Sequence, residues 1–216
     1  MSDVIGQSIA GQEWGVCGFV SVLNALHEQG KLEEFGNKLS TPQIQERLGA
    51  EIITYLKMTE VDRPAIADAI LDYTQSFGDA YKNYTSITDI CNRIKAQLTN
   101  VRTLTDWYKL KNATGIALPP SAVQDYIRWA GLQSTLETLP DPSFTPAELR
   151  KYKNCIVGCG RDPKAGAYHG LRHWVYVDQG GRLLNWGVRT DLNTSPLPQE
   201  VIEKKYGYIP CVVRLQ

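Results

Sequence analysis

The stretch QEWGVCGFVSVLNAL, residues 12–26, sets a glutamine five positions before Cys17 and runs from that cysteine straight into an apolar-periodic segment. A free thiol has a pKa of about 8.5, so it is mostly protonated at neutral pH and must be activated before it attacks a carbonyl. Phe19, Val22, Leu23 and Leu26 recur at helical spacing and Gly30 supplies a C-terminal stop, so Cys17 opens a helix. The unpaired N–H groups and partial positive charge of a helix start favour a thiolate. A neighbouring imidazolium would favour it further and hold the proton a leaving amine needs. The side-chain amide of Gln12 and the backbone N–H of Cys17 are candidate donors to the oxyanion that such an attack creates. Gly18 leaves room beside the thiol.

The chain has three histidines. His27 sits at the polar end of the cysteine helix and reads as a surface residue, and His169 lies in the loop GAYHGLR, ahead of any strand. His173 opens HWVYVDQGGRLLNWG, which reads as a β-hairpin whose loop length decides which side chains share a face. A two-residue Gly180-Gly181 turn would put His173 and Asn185 on opposite faces. A three-residue loop Gln179-Gly180-Gly181, with a glycine at positive φ, opposes Asp178 with Arg182 and Val175 with Asn185. That register pairs opposite charges. It places His173, Val175, Val177, Leu183 and Asn185 on one face, with His173 diagonal to Asn185 at roughly 7 Å, within side-chain reach. On this reading Asp178→Lys costs about 1 kcal/mol or less through the like-charge pair it creates with Arg182.

Gln12, Cys17-Gly18 at a helix start, His173 at a strand start and Asn185-Trp186-Gly187 on the next strand resemble the papain-like cysteine peptidases in residue type and order. The short Gln-to-Cys interval and tight His-to-Asn hairpin are most similar to the compact bacterial members, including those that process bacteriocin leader peptides. The likeness covers about residues 12–26 and 155–187. Phe19-Val20 stand where papain's pattern has Ser-Cys-Trp, and Trp186 follows the Asn directly, so substrate preference stays open. The resemblance implies Cys17 as nucleophile in an ion pair with His173, Asn185 accepting the other imidazole N–H, and Trp186 shielding that bond from water. It also implies a peptidase or amidase acting through a thioester, with no cofactor and no metal. The same thioester can pass to water, an amine or another acceptor, which leaves deamidation, transglutamination and cell-wall amide hydrolysis by an exported bacterial effector as alternatives.

Other readings of these residues are blander. A cysteine on a helix is most often a small buried hydrophobe, Gln12 can cap a loop, Asn185 can satisfy strand-end groups and Trp186 can be core. A rival of another class is a zinc module, since Cys155, Cys159, His169 and His173 read C-x3-C-x9-H-x3-H. Against it, Cys155 and Cys159 on one extended strand stand roughly 13 Å apart, too far for one tetrahedral ion. Gly158 and Gly160 in GCGRD are too few to read as a phosphate cradle.

The elements that must position these groups follow from periodicity. Helices are expected at Thr41-Pro42 with Gly49 as a stop, from Asp62 through Ile66, Ala69, Ile70 and Tyr73, from Ser86 through Ile90, Cys91, Ile94 and Leu98, and over Ser121 to Gly131. Thr145-Pro146-Ala147-Glu148 is a capping box with proline at the first helical position. Strands are expected at 155–160, 173–179, 182–187 and 208–215. The whole is a single α+β papain-like domain over 1–216, with the nucleophile helix near the N-terminus, a helical insertion at about 31–150 and a C-terminal antiparallel sheet. The 216 residues, 43% hydrophobic, suffice for such a core. With 23 basic and 23 acidic side chains, no broad electrostatic surface points to nucleic acid or to an anionic membrane. The expected partner is a peptide or protein substrate. No eighteen-residue apolar run and no signal-like N-terminus occur, and five cysteines without dense spacing suit a reducing compartment. The expectation is a cytoplasmic protein without membrane insertion, with signal-less export open and oligomeric state unassigned.

Overall fold

This computed structural model describes residues 16–31, 41–78, 81–100, 115–185 and 188–216, with backbone alone for 41–47, 97–100 and 200. Among the described residues the order is helices α1 (Cys17–Glu28), α2 (Thr41–Asp62), α3 (Pro64–Gln75), α4 (Ile87–Asn100) and α5 (Pro120–Trp129), then strand β1 (Ser134–Thr138). There follow α6 (Pro146–Leu149), β2 (Cys155–Gly160), the short turn α7 (Ala167–Gly170), β3 (Leu171–Val177), β4 (Arg182–Asn185), β5 (Val188–Asp191), α8 (Gln199–Glu203) and β6 (Cys211–Leu215). The six strands form one antiparallel sheet in the order β1-β6-β2-β3-β4-β5. Among the described residues no helix is long and apolar enough to cross a membrane.

Alternation along the strands splits the core in two. Ile156, Trp174, Tyr176, Leu184 and Val213 face the large helical cluster that contains Phe19, Leu23, Ile52, Tyr55, Ile90 and Tyr126. Cys155, Val157, Cys159, Val175, Val177, Leu183 and Val212 face a smaller cluster closed by Phe144, Leu149, Leu192, Val201 and Ile209. Helix α1 packs on β3 from the helical side, so its first turn comes to the end of that strand.

Several expected boundaries move for physical reasons. Helix α2 runs through Gly49 to Asp62, because Leu48, Ile52, Tyr55, Leu56 and Thr59 continue the buried stripe and outweigh the ~1 kcal/mol cost of one internal glycine. Asp62 therefore ends a helix instead of starting one. Pro64 forces the break and sits at the first position of α3, behind Arg63 at φ −140°. The Ser86 cap is present, its hydroxyl accepting from the Asp89 N–H at 3.0 Å, and so is the Thr145 cap, accepting from Glu148 N–H at 3.2 Å. Strand β1 lies inside the stretch expected to be helical, and β5 adds an edge strand that the periodicity does not announce. Residues 186 and 187, expected to extend β4, lie outside the described residues.

Candidate active site

The hairpin has the three-residue loop. Tyr176 pairs with Leu184 and Val177 with Leu183, which carries Asp178 opposite Arg182 and Val175 opposite Asn185. Gly181 takes φ +77° and donates to the Asp178 carbonyl at 3.1 Å, while the Asp178 N–H donates to the Arg182 carbonyl at 3.0 Å. The Asp178 carboxylate accepts from the Arg182 backbone N–H at 2.9 Å and from its Nε at 2.5 Å. Asp178 is 2% exposed, so this is a buried turn lock and not the light surface pair the sequence suggests.

The register delivers His173 and Asn185 to the same face. The imidazole Nε2 and the Asn185 Oδ1 lie 2.7 Å apart, and both residues are 3% exposed. An amide oxygen only accepts, so the shared proton resides on Nε2 and Nδ1 is the basic nitrogen. Among the described residues the Asn185 Nδ2 is buried with no hydrogen-bond partner. Tyr206 lies flat on the other side of the imidazole, with centroids 5.4 Å apart and ring planes 8° apart, and so fixes the tilt of the ring.

Cys17 reaches this group from the helical side of the sheet. The backbone N–H groups of Trp174, the residue after His173, and of Gly18 and Cys17 itself at the helix start lie near enough to its sulfur to favour the thiolate. Trp174 is two residues from Tyr176, so its N–H points to the β4 side of β3, beyond the Tyr176–Leu184 rung. The thiol thus sits where β3 and β4 stop pairing, with the imidazole rooted one residue away. Among the described residues no side chain caps α1, and Val16 at the cap position contributes its carbonyl, which accepts from Val20 N–H at 3.0 Å.

Gly18 does not leave room beside the thiol as expected from its position in the sequence. A Cβ there would stand 3.0 Å from Cβ and Cδ1 of Leu118, so the glycine makes room for Leu118. The Leu118 carbonyl in turn accepts the Trp174 indole N–H at 2.9 Å, tying the lead-in of α5 to β3 at the thiol. Leu118, Trp174 and Tyr206 are site-building residues that no short-range motif reveals. Gly158 and Gly160 likewise serve packing, since a Cβ at either would meet Leu171 and Cys211, or the Tyr208 ring.

Burial sets the protonation of the pair. Desolvation pushes the Cys17 thiol up to about 11 against the three N–H contacts that pull it down. Desolvation also pushes His173 down to about 4, opposed by the Asn185 bond and assisted by the positive charge of Lys204. Taken singly, burial therefore drives each group towards its neutral form, against the mutual charge that favours the ion pair expected from the sequence. Cys17 nonetheless keeps accessible surface, whereas Cys91, Cys155, Cys159 and Cys211 are buried.

Gln12 and Trp186 lie outside the described residues. His27 is half-exposed and 3.9 Å from Glu28, and His169 is exposed and 3.8 Å from Asp141. Among the described residues no group of three His, Cys, Asp or Glu side chains is placed to hold a metal ion. Cys155 and Cys159 lie in one extended strand, and His169 turns outward, so the four zinc candidates do not converge. Comparison with known proteins gave no match to any protein-family model, curated protein or solved structure.

Proposed function

We propose that this chain is a cysteine hydrolase, a peptidase or amidase of papain-like type, with Cys17 as nucleophile, His173 as base and Asn185 as the group that orients it. The observation that carries the reading is the buried His173 Nε2 to Asn185 Oδ1 contact at 2.7 Å, formed next to a backbone N–H that lies near the Cys17 sulfur. Attack joins the Cys17 sulfur to the substrate carbonyl carbon as the thiol proton passes to His173 Nδ1. The oxyanion so formed is met by N–H donors of the first turn of α1, with Cys17 N–H foremost. Collapse breaks the C–N bond, and the amine leaves with the proton from Nδ1. Water then adds to the thioester, His173 takes its proton, and release of the acid restores the thiol. Burial of both groups favours this general-base transfer, coupled to attack, over attack by a standing thiolate.

Deamidation and acyl transfer use the same intermediate and differ only in the leaving and accepting groups. The test is to mix the protein with peptide, protein and cell-wall peptide substrates, quench in acid and weigh the peptide containing Cys17. The expected result is an acyl adduct on Cys17, with turnover lost in Cys17→Ala. Adducts on another cysteine, or turnover that survives Cys17→Ala, would overturn the proposal.

A further inference from the structure

Three cations around the proposed site form no ion pair among the described residues. Arg63, Arg93, Arg182, Arg189 and Arg214 each pair with a carboxylate. Arg161 and Arg172 instead lie on aromatic faces, Arg161 5.7 Å from the Tyr206 centroid and Arg172 5.2 Å from that of Phe77. Each ring leads to the chemistry. Tyr206 stacks on His173. Phe77 meets Tyr73 edge-on at 5.0 Å, and Tyr73 donates to the Leu171 carbonyl at 2.7 Å, two residues before His173. Lys204, half-buried on the turn after α8, is near enough to the imidazole for its charge to oppose protonation of His173. Among the described residues none of these three cations forms an ion pair. Of the nearby carboxylates, Asp141 faces His169 at 3.8 Å and Asp162 accepts the Lys164 backbone N–H at 2.9 Å, and both act on Tyr208 alongside Arg172, while Asp72 acts on Tyr168.

Resting on the hydrolase reading, we propose that the substrate is an acidic peptide, with a carboxylate beside the scissile amide held between Arg161, Arg172 and Lys204. Guanidinium groups held over rings can still offer N–H groups to a carboxylate and lose little freedom in binding one. An incoming carboxylate also offsets the positive charge that opposes protonation of His173, so substrate binding itself makes the base stronger.

Iodoacetate and iodoacetamide test this without a known substrate, because they deliver the same electrophilic carbon and differ only in a carboxylate. The ratio of their alkylation rates at Cys17 is compared with the ratio at glutathione in the same buffer. The expected result at low ionic strength is a ratio about ten-fold above glutathione's, which falls towards it in 0.5 M salt as screening shortens the field to a few ångströms. In the Arg161→Gln, Arg172→Gln, Lys204→Gln variant the ratio matches glutathione's. A wild-type ratio equal to glutathione's, or one indifferent to salt, would overturn the acidic-substrate proposal and leave the hydrolase reading standing. A Cys17 inert to both reagents would instead remove the hydrolase reading and this proposal with it.

Discussion

At the scale of residues, the proposed site would divide labour between uncharged groups. Asn185 supplies no charge, so its proposed contribution is to hold the proton on Nε2 and the ring in one orientation. Asn185→Ala is expected to lower turnover by about 10-fold to 10³-fold while leaving Cys17 able to be acylated, because the unoriented imidazole visits the wrong tautomer and rotamer. Wild-type turnover in that variant would refute the orienting role. Burial of His173 also sets a pH dependence of stability. Above pH 6.5 the imidazole is neutral folded and unfolded. As pH falls from 6.5 towards about 4 the unfolded chain binds a proton that the folded one refuses, so stability is lost at about 1.4 kcal/mol per pH unit, about 3 kcal/mol in all. Denaturant melts at pH 7 and pH 5 should show wild type losing about 2 kcal/mol more than His173→Gln, in which this group is absent. Equal losses in the two proteins would show that the imidazole is not held neutral.

At the scale of elements, the hairpin determines whether there is a base at all, since a slip of one residue sends Asn185 to the far face. Asp178 is the lock. Because its buried carboxylate accepts both the Arg182 backbone N–H and its guanidinium, Asp178→Lys is expected to cost about 3 kcal/mol, well above the surface-pair figure, and to lower activity through the register. A thermal or denaturant melt unchanged by Asp178→Lys would show that Gly181 alone sets the turn. This element was legible in the sequence: the Asp-x-x-x-Arg spacing, two glycines and strict alternation leave one register that pairs charges and buries valines. The start of α1 was legible too, from Phe19, Val22, Leu23 and Leu26. The partners that complete the site were not. Leu118 and Tyr206 meet Gly18 and His173 only after the chain has folded across about a hundred and about thirty residues respectively, and such contacts leave no local period. The depth of Asp178 and His173 was hidden for the same reason, since burial depends on what the other elements lay over them.

At the scale of the whole molecule, the sheet acts as a partition. The thiol belongs with the helical layer, while the imidazole and its amide face the smaller core near the strand end where β4 leaves β3. Glu28, at the far end of α1, binds Arg189 of β5 and lies 3.5 Å from Arg182 of β4, so the nucleophile helix is tied to the hairpin at the end opposite the site. The same architecture hides four of five thiols: burial pushes Cys91 and Cys155 up to about 11, Cys211 up to about 12, and Cys159 further in the same direction. Cys17 shares the raised pKa but keeps accessible surface, and on the proposed reading His173 serves it as base. Site-resolved alkylation of the native protein by iodoacetamide at pH 7, in wild type and in His173→Ala, therefore tests the central claim most directly. The account predicts that Cys17 reacts much faster than the other four in wild type and slows sharply in His173→Ala, while the four stay unlabelled until the protein is denatured. Cys17 reacting no faster than Cys91, or at the same rate with and without His173, would contradict it.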